Sequence, residues 1–530
     1  MAFFNEFPHT RTYDSDLGWI IKEMANLLIE WGGIEKAWEE FLKNFGNSVE
    51  EATKKQLEEW LNDGTLETII EKYITSIPFI NVKDYGAKGD GVSDDGKAII
   101  NAINASGEKN IIYFPPGTYI IENTEIEGYE NTGIVIEKSN IILIGNNRNS
   151  ILKSKTGHLQ VISISNSSNL TIKNLVIDGN AINYASGEHC IRINGTRNLK
   201  IINCEIMNPS RYGIGFEGGK NEEILIDSCY IHDTGADGID MKNFDSLNNK
   251  ITINNNYFYN IGLDQSLNYQ ACIDIRGTGV AITNNLAKNI GVSSLFIRMR
   301  ETTEEQGIGG IKNIISNCIL QGNQTGGTGT GINCYEGTEI SNCEISGVSV
   351  GIMVGLNCVV SNCLITDVFD GIRTNGNNSI IHACIIKNSS ANAIRISNDG
   401  YIIDSCLIDK ANRGLFFNTN VKNTIVSNNN VFNCENYAVG DSEAKYINNK
   451  GIMEFDLTKN IDVSTVGIKN IEFSFDLPIT PINFKFILVS DSNAVINLGQ
   501  ITNITNRNIN VNVNVVTAGS GEATLRLVSL

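Results

Sequence analysis

The sequence predicts a mainly β fold, a right-handed parallel β-helix, because two short segments recur along the chain. In the first segment, apolar residues lie on both sides of a Cys that usually follows Ser or Asn. This segment repeats at intervals of roughly 20 to 27 residues, which is the repeat length of a solenoid. Its copies are 202–206, 226–231, 316–320, 341–345, 361–365, 382–386 and 404–408. The second, a small residue before Ile or Leu, follows about ten residues later, at 212–214, 237–239, 331–332, 350–352, 370–372, 393–394 and 414–415.

The residue types within each repeat favour strands over helices. Apolar residues alternate with polar ones, the pattern of a strand with one buried face. Gly and Asn occupy the gaps, where corners need left-handed backbone conformations. Pro209 is the only proline between Pro116 and Pro478, as expected where each strand pairs on both sides. No repeat carries a helical apolar stripe, which argues against leucine-rich and helical solenoids.

Length and charge bound the organisation and the partners. A chain of 530 residues is too long for one compact core. We expect a helical attachment or trimerisation module at 1–76, a β-helix at 77–450 with a capping segment at 77–120, and a C-terminal β domain at 451–530. The net charge of −18 argues against nucleic acid or an anionic membrane as a partner.

The cysteines predict stacked buried thiols. All 12 lie between Cys190 and Cys434, and most fall at the inward position of the repeat, one coil apart. This spacing favours free thiols, folded in a reducing cytoplasm, over disulfides or a metal site. No cofactor or metal is predicted, and no signal peptide or membrane-spanning run is found. Four histidines are too scattered along the chain to form a zinc site: His9, His158, His189 and His382.

The two ends of the chain differ from the repeats. Residues 1–76 hold all four tryptophans at helical apolar spacing, which predicts either a small helical domain or a trimeric bundle that docks on another protein. Residues 451–530 alternate like strands and predict a β-sandwich-like cap, which could also trimerise or bind a receptor. Residues 7–17 resemble the N-terminal segment of tail and appendage proteins from phages of Gram-positive bacteria.

Residues 81–95 (NVKDYGAKGDGVSDD) resemble the opening motif of the pectate-lyase superfamily, which is common in phage tail spikes and preneck appendages. Residues 98–100 and 111–119 match the next elements of that family, and Gly96-Lys97 departs from its usual Thr. With the repeats, the resemblance covers roughly residues 80 to 435 and implies the same β-helix. Read from its residues, the segment is a strand, turns and a short helix that caps the open end. Its acidic residues are expected to form turns and caps: Asp84, Asp90, Asp94 and Asp95.

Chemistry is expected on outward positions, where side chains of successive coils line up roughly 4.8 Å apart. One predicted column holds Arg192, Gly215, Asp240, Asp274, Arg298, Asn333, Met353, Arg373 and Arg395. A second holds Asn194, Glu217, Lys242, Arg276 and Arg300. We predict three catalytic residues, Glu217, Asp240 and Asp274. We predict four substrate-binding residues: Lys242, Arg276, Arg298 and Arg300.

Paired carboxylates on neighbouring coils are what glycoside hydrolysis needs. Asp240 with Asp274 would suit a retaining mechanism, and Glu217 with Asp274 an inverting one. The arginines would bind an anionic sugar or phosphate in bidentate fashion. Alternatively, an Arg or Lys could be the base of an elimination, or the charges could form only solvated ion pairs.

Residues 234–240 are similar to the Asn-Thr-Asp-Gly-Ile-Asp run of polygalacturonases, and Arg298-Met299-Arg300 loosely resembles their Arg-x-Lys. The family's Asp-Asp pair is replaced by Ala271-Cys272, and its Gly-His-Gly is absent. These departures argue against the polygalacturonase mechanism.

The resemblance as a whole implies a phage tail spike or preneck appendage, a homotrimer in the virion that is assembled in the host cytoplasm. Its helical module would attach to tail, collar or baseplate proteins. Its β-helix would bind and depolymerise a bacterial surface glycan, capsule or teichoic acid. The alternatives are a receptor-binding adhesin without enzymatic activity and a pectate-lyase-like polysaccharide lyase.

Overall fold

The computed structural model describes most of the region between residues 79 and 439 and parts of both flanks. The described residues are 59, 79–107, 110–124, 126–181, 188–241, 247–264, 266–267, 270–289, 295–300, 313–322, 329–418, 421–439, 444–447, 449, 456–460, 467–474, 484–490, 495–504, 508–517 and 523–529. The chain divides into two compact units, Met1–Asp264 and Gln265–Leu530. Both units contain a right-handed parallel β-solenoid.

The first unit contains 19 described strands, which wind around three faces. They are β1 Phe79–Asn81, β2 Asp90–Asp94, β3 Ile111–Phe114, β4 Gly117–Ile121, β5 Thr132–Ile136, β6 Ile141–Gly145, β7 Ser150–Ser154, β8 Gln160–Ser165, β9 Ser168–Lys173, β10 Val176–Asp178, β11 Ile191–Asn194, β12 Arg197–Ile202, β13 Glu205–Met207, β14 Ile214–Phe216, β15 Lys220–Asp227, β16 Tyr230–Thr234, β17 Ile239–Met241, β18 Leu247–Asn254 and β19 Tyr257–Ile261. The first face is β1-β3-β6-β9-β12-β15-β18, the second β2-β4-β7-β10-β13-β16-β19, and the third β5-β8-β11-β14-β17. All pairings described within these faces are parallel.

Stacked isoleucines form the core of this unit. On the first face Ile172, Ile201, Ile226 and Ile253 are in register on four successive turns, and none is exposed. Burying one such side chain stabilises the fold by about 1.5–3 kcal/mol. The alternating apolar positions of the sequence therefore decide which side of each strand faces inward, and with it which side chains remain outside.

The opening motif leads into a short helix that packs on solenoid strands, and its role as a cap over the open end remains a prediction. Helix α1, Gly96–Ala105, buries Ile99, Ala102 and Ile103 and contacts β4 and β5. A 3-10 helix, Val82–Tyr85, precedes it, and a second one, Asn147–Asn149, follows β6. The Asp95 carboxylate accepts the backbone N–H groups of Lys88 and Gly89 at 2.6 and 3.0 Å.

Two further acidic residues of the motif also bind backbone. The Asp94 carboxylate accepts the N–H groups of Gly96 and Glu122. Hydrogen bonds from the backbone of Ser93 and Val92 lower the pKa of Asp90 to about 2. Asp90, Asp94 and Asp95 therefore organise turns, as the sequence predicted.

The second unit contains 20 described parallel strands. They are β20 Ala271–Ile275, β21 Thr278–Thr283, β22 Leu286–Lys288, β23 Leu295–Met299, β24 Asn313–Ser316, β25 Ile319–Gln321, β26 Thr330–Asn333, β27 Thr338–Ser341, β28 Glu344–Ser346, β29 Val350–Val354, β30 Val359–Ser361, β31 Leu364–Thr374, β32 Ile380–His382, β33 Ile385–Ile396, β34 Ile402–Asp404, β35 Leu407–Phe417, β36 Ile425–Ser427, β37 Asn430–Phe432, β38 Asn436–Val439 and β39 Lys445–Ile447. Strands β31, β33 and β35 are longer than the rest and pair along two faces, with a register shift between them.

Six antiparallel strands follow in the same unit. They are β40 Asp456–Asn460, β41 Gly467–Ser474, β42 Phe484–Ser490, β43 Val495–Ile504, β44 Asn508–Thr517 and β45 Ala523–Ser529. They form two three-stranded sheets, β40-β45-β42 and β41-β44-β43. Pairing changes here from parallel to antiparallel; a separate C-terminal β domain, its packing as a sandwich and its role as a cap remain predictions.

Left-handed residues mark one corner of the coil on turn after turn. They lie directly before the inward Cys or its equivalent, and eight of the eleven are asparagines: Asn174, Asn203, Ser228, Asn255, Asn284, Asn317, Asn342, Asn362, Ala383, Ser405 and Asn428. Asn tolerates this conformation because its side chain hydrogen-bonds locally. At three of these turns the inward residue is also Asn: Asn256, Asn285 and Asn429. Asn256 and Asn429 accept the backbone N–H groups of Cys229 and Cys406.

Ala383→Gly is expected to stabilise the chain by about 1 kcal/mol, because Ala383 has a φ of 51° that costs a residue with a Cβ atom about that much. A rise in the thermal midpoint of the full chain checks this prediction. Ala411→Gly is the matched control, since Ala411 is buried within β35 and outside the left-handed corners, and it should lower the midpoint. Equal shifts in both variants would contradict the prediction.

All twelve cysteines carry free thiols, and eleven are buried. Burial raises the pKa of the Cys190 thiol far above its ordinary range. In the second unit the Sγ atoms of Cys318, Cys343, Cys363 and Cys384 each lie 3.4 Å from the carbonyl oxygen two residues earlier. The predicted role of these residues as small apolar core side chains is confirmed.

The helical module predicted for residues 1–76 lies outside the described residues, apart from Glu59. Within the described part of the chain, no helix is long and apolar enough to cross a membrane.

Candidate functional site

The third face of the first unit carries the predicted outward column. Strand pairing puts Arg192 beside Gly215 and Gly215 beside Asp240 on three successive turns. The flanking residues Ile191, Ile214 and Ile239 point into the core and are fully buried. Because side chains alternate along a strand, Arg192 and Asp240 lie on the opposite, outer side.

Glu217 lies at the centre of a charged cluster on this face. Its carboxylate receives hydrogen bonds from Arg192, at 2.7 Å from both Nε and Nη2, and lies 3.0 Å from Nε2 of His189. The Glu217 side chain is 35% exposed, whereas His189 is 1% exposed. A carboxylate is therefore held by two cationic or hydrogen-bonding groups while one side remains open to solvent.

These contacts fix the charge of Glu217. The hydrogen bond from His189, together with the charges of His189 and Arg192, lowers the pKa of Glu217 to about 2, against the opposing effect of burial. Glu217 is therefore ionised at any physiological pH. An ionised carboxylate can act as a base, a nucleophile or an electrostatic stabiliser, but it has no proton to give to a leaving group.

His189 is the part of the cluster that sequence reasoning missed. Its ring stacks on Tyr212 at 4.7 Å, and the guanidinium of Arg211 lies 4.7 Å above the Tyr212 ring. The ring fills the space beside Gly215, where a Cβ atom would lie 2.7 Å from its Cδ2 atom. Nδ1 of His189 is buried and has no hydrogen-bond partner among the described residues. The available signal was the lone glycine between the charged residues Arg192 and Asp240 of the column.

Gly215→Ala is expected to push His189 away from Glu217 and to destabilise the fold by about 1–3 kcal/mol through overpacking. The pKa of Glu217 should rise toward its ordinary value, since the hydrogen bond from His189, which lowers that pKa most, is lost. Thermal unfolding and carboxylate titration by NMR check both effects. Gly107→Ala is the control, because nothing lies within 4 Å of its added Cβ. A Gly215→Ala chain with an unchanged midpoint and titration would contradict this packing.

The remaining predicted residues of the first unit differ in accessibility. Asp240 is buried, with 4% exposed, and Asp237 in the preceding turn is 1% exposed. Lys242 lies outside the described residues. The polygalacturonase-like run at 234–240 is therefore a buried turn that leads into β17. Within it, the Thr234 hydroxyl donates to the carbonyl oxygen of Ala236 at 2.7 Å.

In the second unit Asp274 forms a buried ion pair. Asp274 is fully buried on β20, beside Arg298 on β23. Nε and Nη2 of Arg300 each donate to one of its two carboxylate oxygens at 2.6 Å. Both oxygens of Asp274 are therefore engaged by a bidentate arginine, the strongest form of such a pair.

Two more predicted arginines lie on the same turns. Arg276 is buried, with 3% exposed, directly after β20. Arg298 continues the column beside Asn333, and its Nε atom and the Oδ1 atom of Asn333 are both buried without a hydrogen-bond partner within the described region. Among the described residues of these turns, three arginines (Arg276, Arg298 and Arg300) thus accompany the Asp274 carboxylate. No group of His, Cys, Asp or Glu among the described residues has the arrangement of a metal site.

Comparisons with known proteins agree with the fold. A family model described as rhamnogalacturonase A/epimerase, pectate lyase-like matches residues 79–273. The preneck appendage protein of Bacillus phage PZA is 25% identical over 259 residues, which are 43% of this chain and 28% of that protein. Residues 79–273 therefore resemble the pectate-lyase-like family, and the chain resembles phage preneck appendage proteins.

This appendage-like chain also resembles enzymes. Mannuronan C5-epimerase AlgE6 of Azotobacter vinelandii is 31% identical over 179 residues, which are 30% of this chain and 20% of the enzyme. Bacteriophage phi29 gene product 12 has a crystal structure that matches with a TM-score of 0.43 at 16% identity, over 70% of this chain and 56% of that chain. The matched region spans less than a third of either curated relative.

Proposed function

We propose that the chain is a phage appendage that binds a bacterial surface polysaccharide, capsule or teichoic acid, and hydrolyses it during host adsorption. Glu217 carries the proposal, because it is an ionised carboxylate that is anchored on one side and open to solvent on the other. Asp240 lies on the next turn of the same face. Glycoside hydrolysis uses two carboxyl groups flanking the bond that is cleaved.

Each residue has a role in this proposal. Glu217 would activate water or attack the sugar, and Asp240 would protonate the leaving oxygen. Arg276, Arg298, Arg300 and Lys242 would hold anionic groups of the polymer. Asp274 has both oxygens on Arg300, so we assign it to positioning that arginine rather than to proton transfer.

The proposal includes assembly. The chain would be a homotrimer in the virion, attached to tail, collar or baseplate proteins through residues 1–76. The similarity to the preneck appendage protein of phage PZA supports the location in the virion, and the trimer and its attachment are proposed with it.

Two other functions compete with hydrolysis. One observation favours a non-enzymatic adhesin. Glu217 and Asp274 both form ion pairs, so each could serve only to order an arginine that binds a glycan. The similarity to an epimerase that acts on mannuronan supports proton abstraction from a uronic acid, the first step of a lyase.

The test incubates the full chain with capsular and cell-wall fractions of candidate hosts and measures new reducing ends and the ultraviolet absorbance of unsaturated uronic acids. Hydrolysis predicts reducing ends without absorbance, lost in Asp240→Asn. Asp274→Asn should keep turnover at saturating glycan and raise KM, because only the position of Arg300 changes. Absorbance would mean a lyase. Binding without release from any fraction would overturn the enzyme proposal and leave the adhesin.

A further inference from the structure

A cluster of three arginines and one aromatic ring lies on the last turns of the solenoid in the second unit. Strand pairing puts Arg373 beside Arg395 and Arg395 beside Phe416 on β31, β33 and β35. A second column, three residues earlier on each strand, holds Asp370, Asn392 and Arg413. Neighbouring residues in such columns lie about 4.8 Å apart. We call these residues the arginine cluster: Asp370, Arg373, Asn392, Arg395, Arg413 and Phe416.

The single carboxylate of the cluster is already fully used. Oδ2 of Asp370 accepts from Nε and Nη2 of Arg373, at 3.0 and 2.5 Å. Its Oδ1 accepts from Nδ2 of Asn392 at 2.6 Å. Asp370 is fully buried, so it neutralises Arg373 and offers no free oxygen to the other two arginines.

Arg395 and Arg413 share one aromatic ring instead of a carboxylate. Their Cζ atoms lie 5.7 and 4.9 Å from the centroid of Phe416. Nη1 of Arg413 lies 3.5 Å from Oδ1 of Asn392, and Nε of Arg395 is buried without a hydrogen-bond partner in the described part of the chain. No salt bridge to either arginine occurs among the described residues.

This arrangement brings together two positive charges that a bound anion would neutralise. Two like charges on one ring repel each other, and cation–π contacts with Phe416 do not neutralise them. An anion between the two guanidinium groups would remove the repulsion and supply acceptors for their unused donors. The side chains are half-buried and already ordered by Phe416 and Asn392, so little entropy is lost on binding.

We propose that the arginine cluster is a binding site for the negatively charged groups of a glycan polymer, either phosphodiesters or uronate carboxylates, separate from the residues proposed to cleave it. The proposal rests on the proposed function only in taking the ligand to be a surface glycan. Because the chain carries a net charge of −18, long-range forces repel such a polymer, and binding depends on local positive patches, of which the arginine cluster is one.

The test measures binding of the full chain to three fluorescent oligomers of equal length: poly(glycerol phosphate), oligogalacturonate and neutral dextran. Arg395→Gln with Arg413→Gln should weaken binding of at least one anionic oligomer by about tenfold or more. Added salt should weaken wild-type binding in the same way. Phe416→Leu should weaken anion binding by a smaller factor, because both arginine charges remain and only the ring that orders them is lost.

Lys387→Gln is the matched control, since Lys387 is an exposed cation on the same strand β33 outside the cluster. Its binding should equal that of the wild type, and all variants should keep the wild-type thermal midpoint. A loss confined to one anionic oligomer identifies its chemistry as the ligand, and a loss for both identifies a general anion site. Unchanged anion binding in the double variant, or an equal loss for dextran, would overturn the proposal.

The outcome is independent of catalysis. If no glycan is hydrolysed but the double variant loses anion binding, the proposed activity fails and the arginine cluster stands. If hydrolysis depends on Asp240 but the double variant binds normally, the cluster fails and the activity stands.

Discussion

Glu217→Gln is expected to reduce the rate of glycan hydrolysis at saturating substrate by about 100- to 10,000-fold, the usual contribution of a base or nucleophile. The amide keeps the shape of the side chain and can still accept a hydrogen bond from His189, so binding of the polymer should persist. Steady-state kinetics and a separate binding measurement on the full chain check the two halves of this prediction.

Glu223→Gln is the matched control, because Glu223 is also an ion-paired glutamate on the neighbouring strand β15, where it contacts Arg197 and Lys250. It should leave the rate unchanged. Wild-type activity in Glu217→Gln would contradict the role given to this carboxylate, and equal losses in both variants would point to a general effect of charge.

The pH dependence gives a second test of the same residue. The pKa of Glu217 is about 2, so its protonation should not limit the rate above about pH 4. Arg192→Gln removes a positive charge that favours the carboxylate, so the pKa rises and the acid limb of the rate profile should move to higher pH. An acid limb that does not move would mean that another group controls it.

Arg300→Met is expected to destabilise the second unit by about 3–5 kcal/mol, since it leaves the fully buried Asp274 carboxylate without its bidentate partner. Asp274→Asn should cost less, because the Arg300 side chain is 23% exposed and can be hydrated. The double variant should be more stable than Arg300→Met alone. Hydrogen exchange of the β20 and β23 amides measures the effect locally, since solenoids need not unfold in one step.

Lys155→Met is the control for this pair, because Lys155 forms an exposed salt bridge with Glu122, a kind of contact that contributes little. Its amide exchange should be close to that of the wild type. Equal exchange in Arg300→Met and in the wild type would show that Asp274 does not depend on Arg300.

The sequence could predict the coil because its signal is repeated on every turn. Alternating isoleucines decide which side of each strand is buried, and the register of one strand then follows from its neighbour. The order Asp274, Arg298, Asn333, Met353, Arg373, Arg395 was therefore predictable, and strand pairing confirms it.

The contacts of the outward side chains could not be predicted in the same way. Long side chains such as Arg300 reach across turns, so the spacing of residues along the chain does not predict which carboxylate each one binds. His189 lies before its strand, outside the repeated signature, and only the steric fit with Gly215 brings it to Glu217. The arginine cluster likewise depends on Phe416, which follows Arg395 in the column but belongs to no charged pattern.

The central claim is hydrolysis at Glu217, and the most direct measurement is mass spectrometry of glycan fragments released in heavy-oxygen water. Hydrolysis adds water across the broken bond, so each new reducing end made by the wild-type chain should carry one heavy oxygen, and Glu217→Gln should release fragments about 100- to 10,000-fold more slowly. Fragments that carry an unsaturated end and no heavy oxygen would contradict it, as would binding without any fragments.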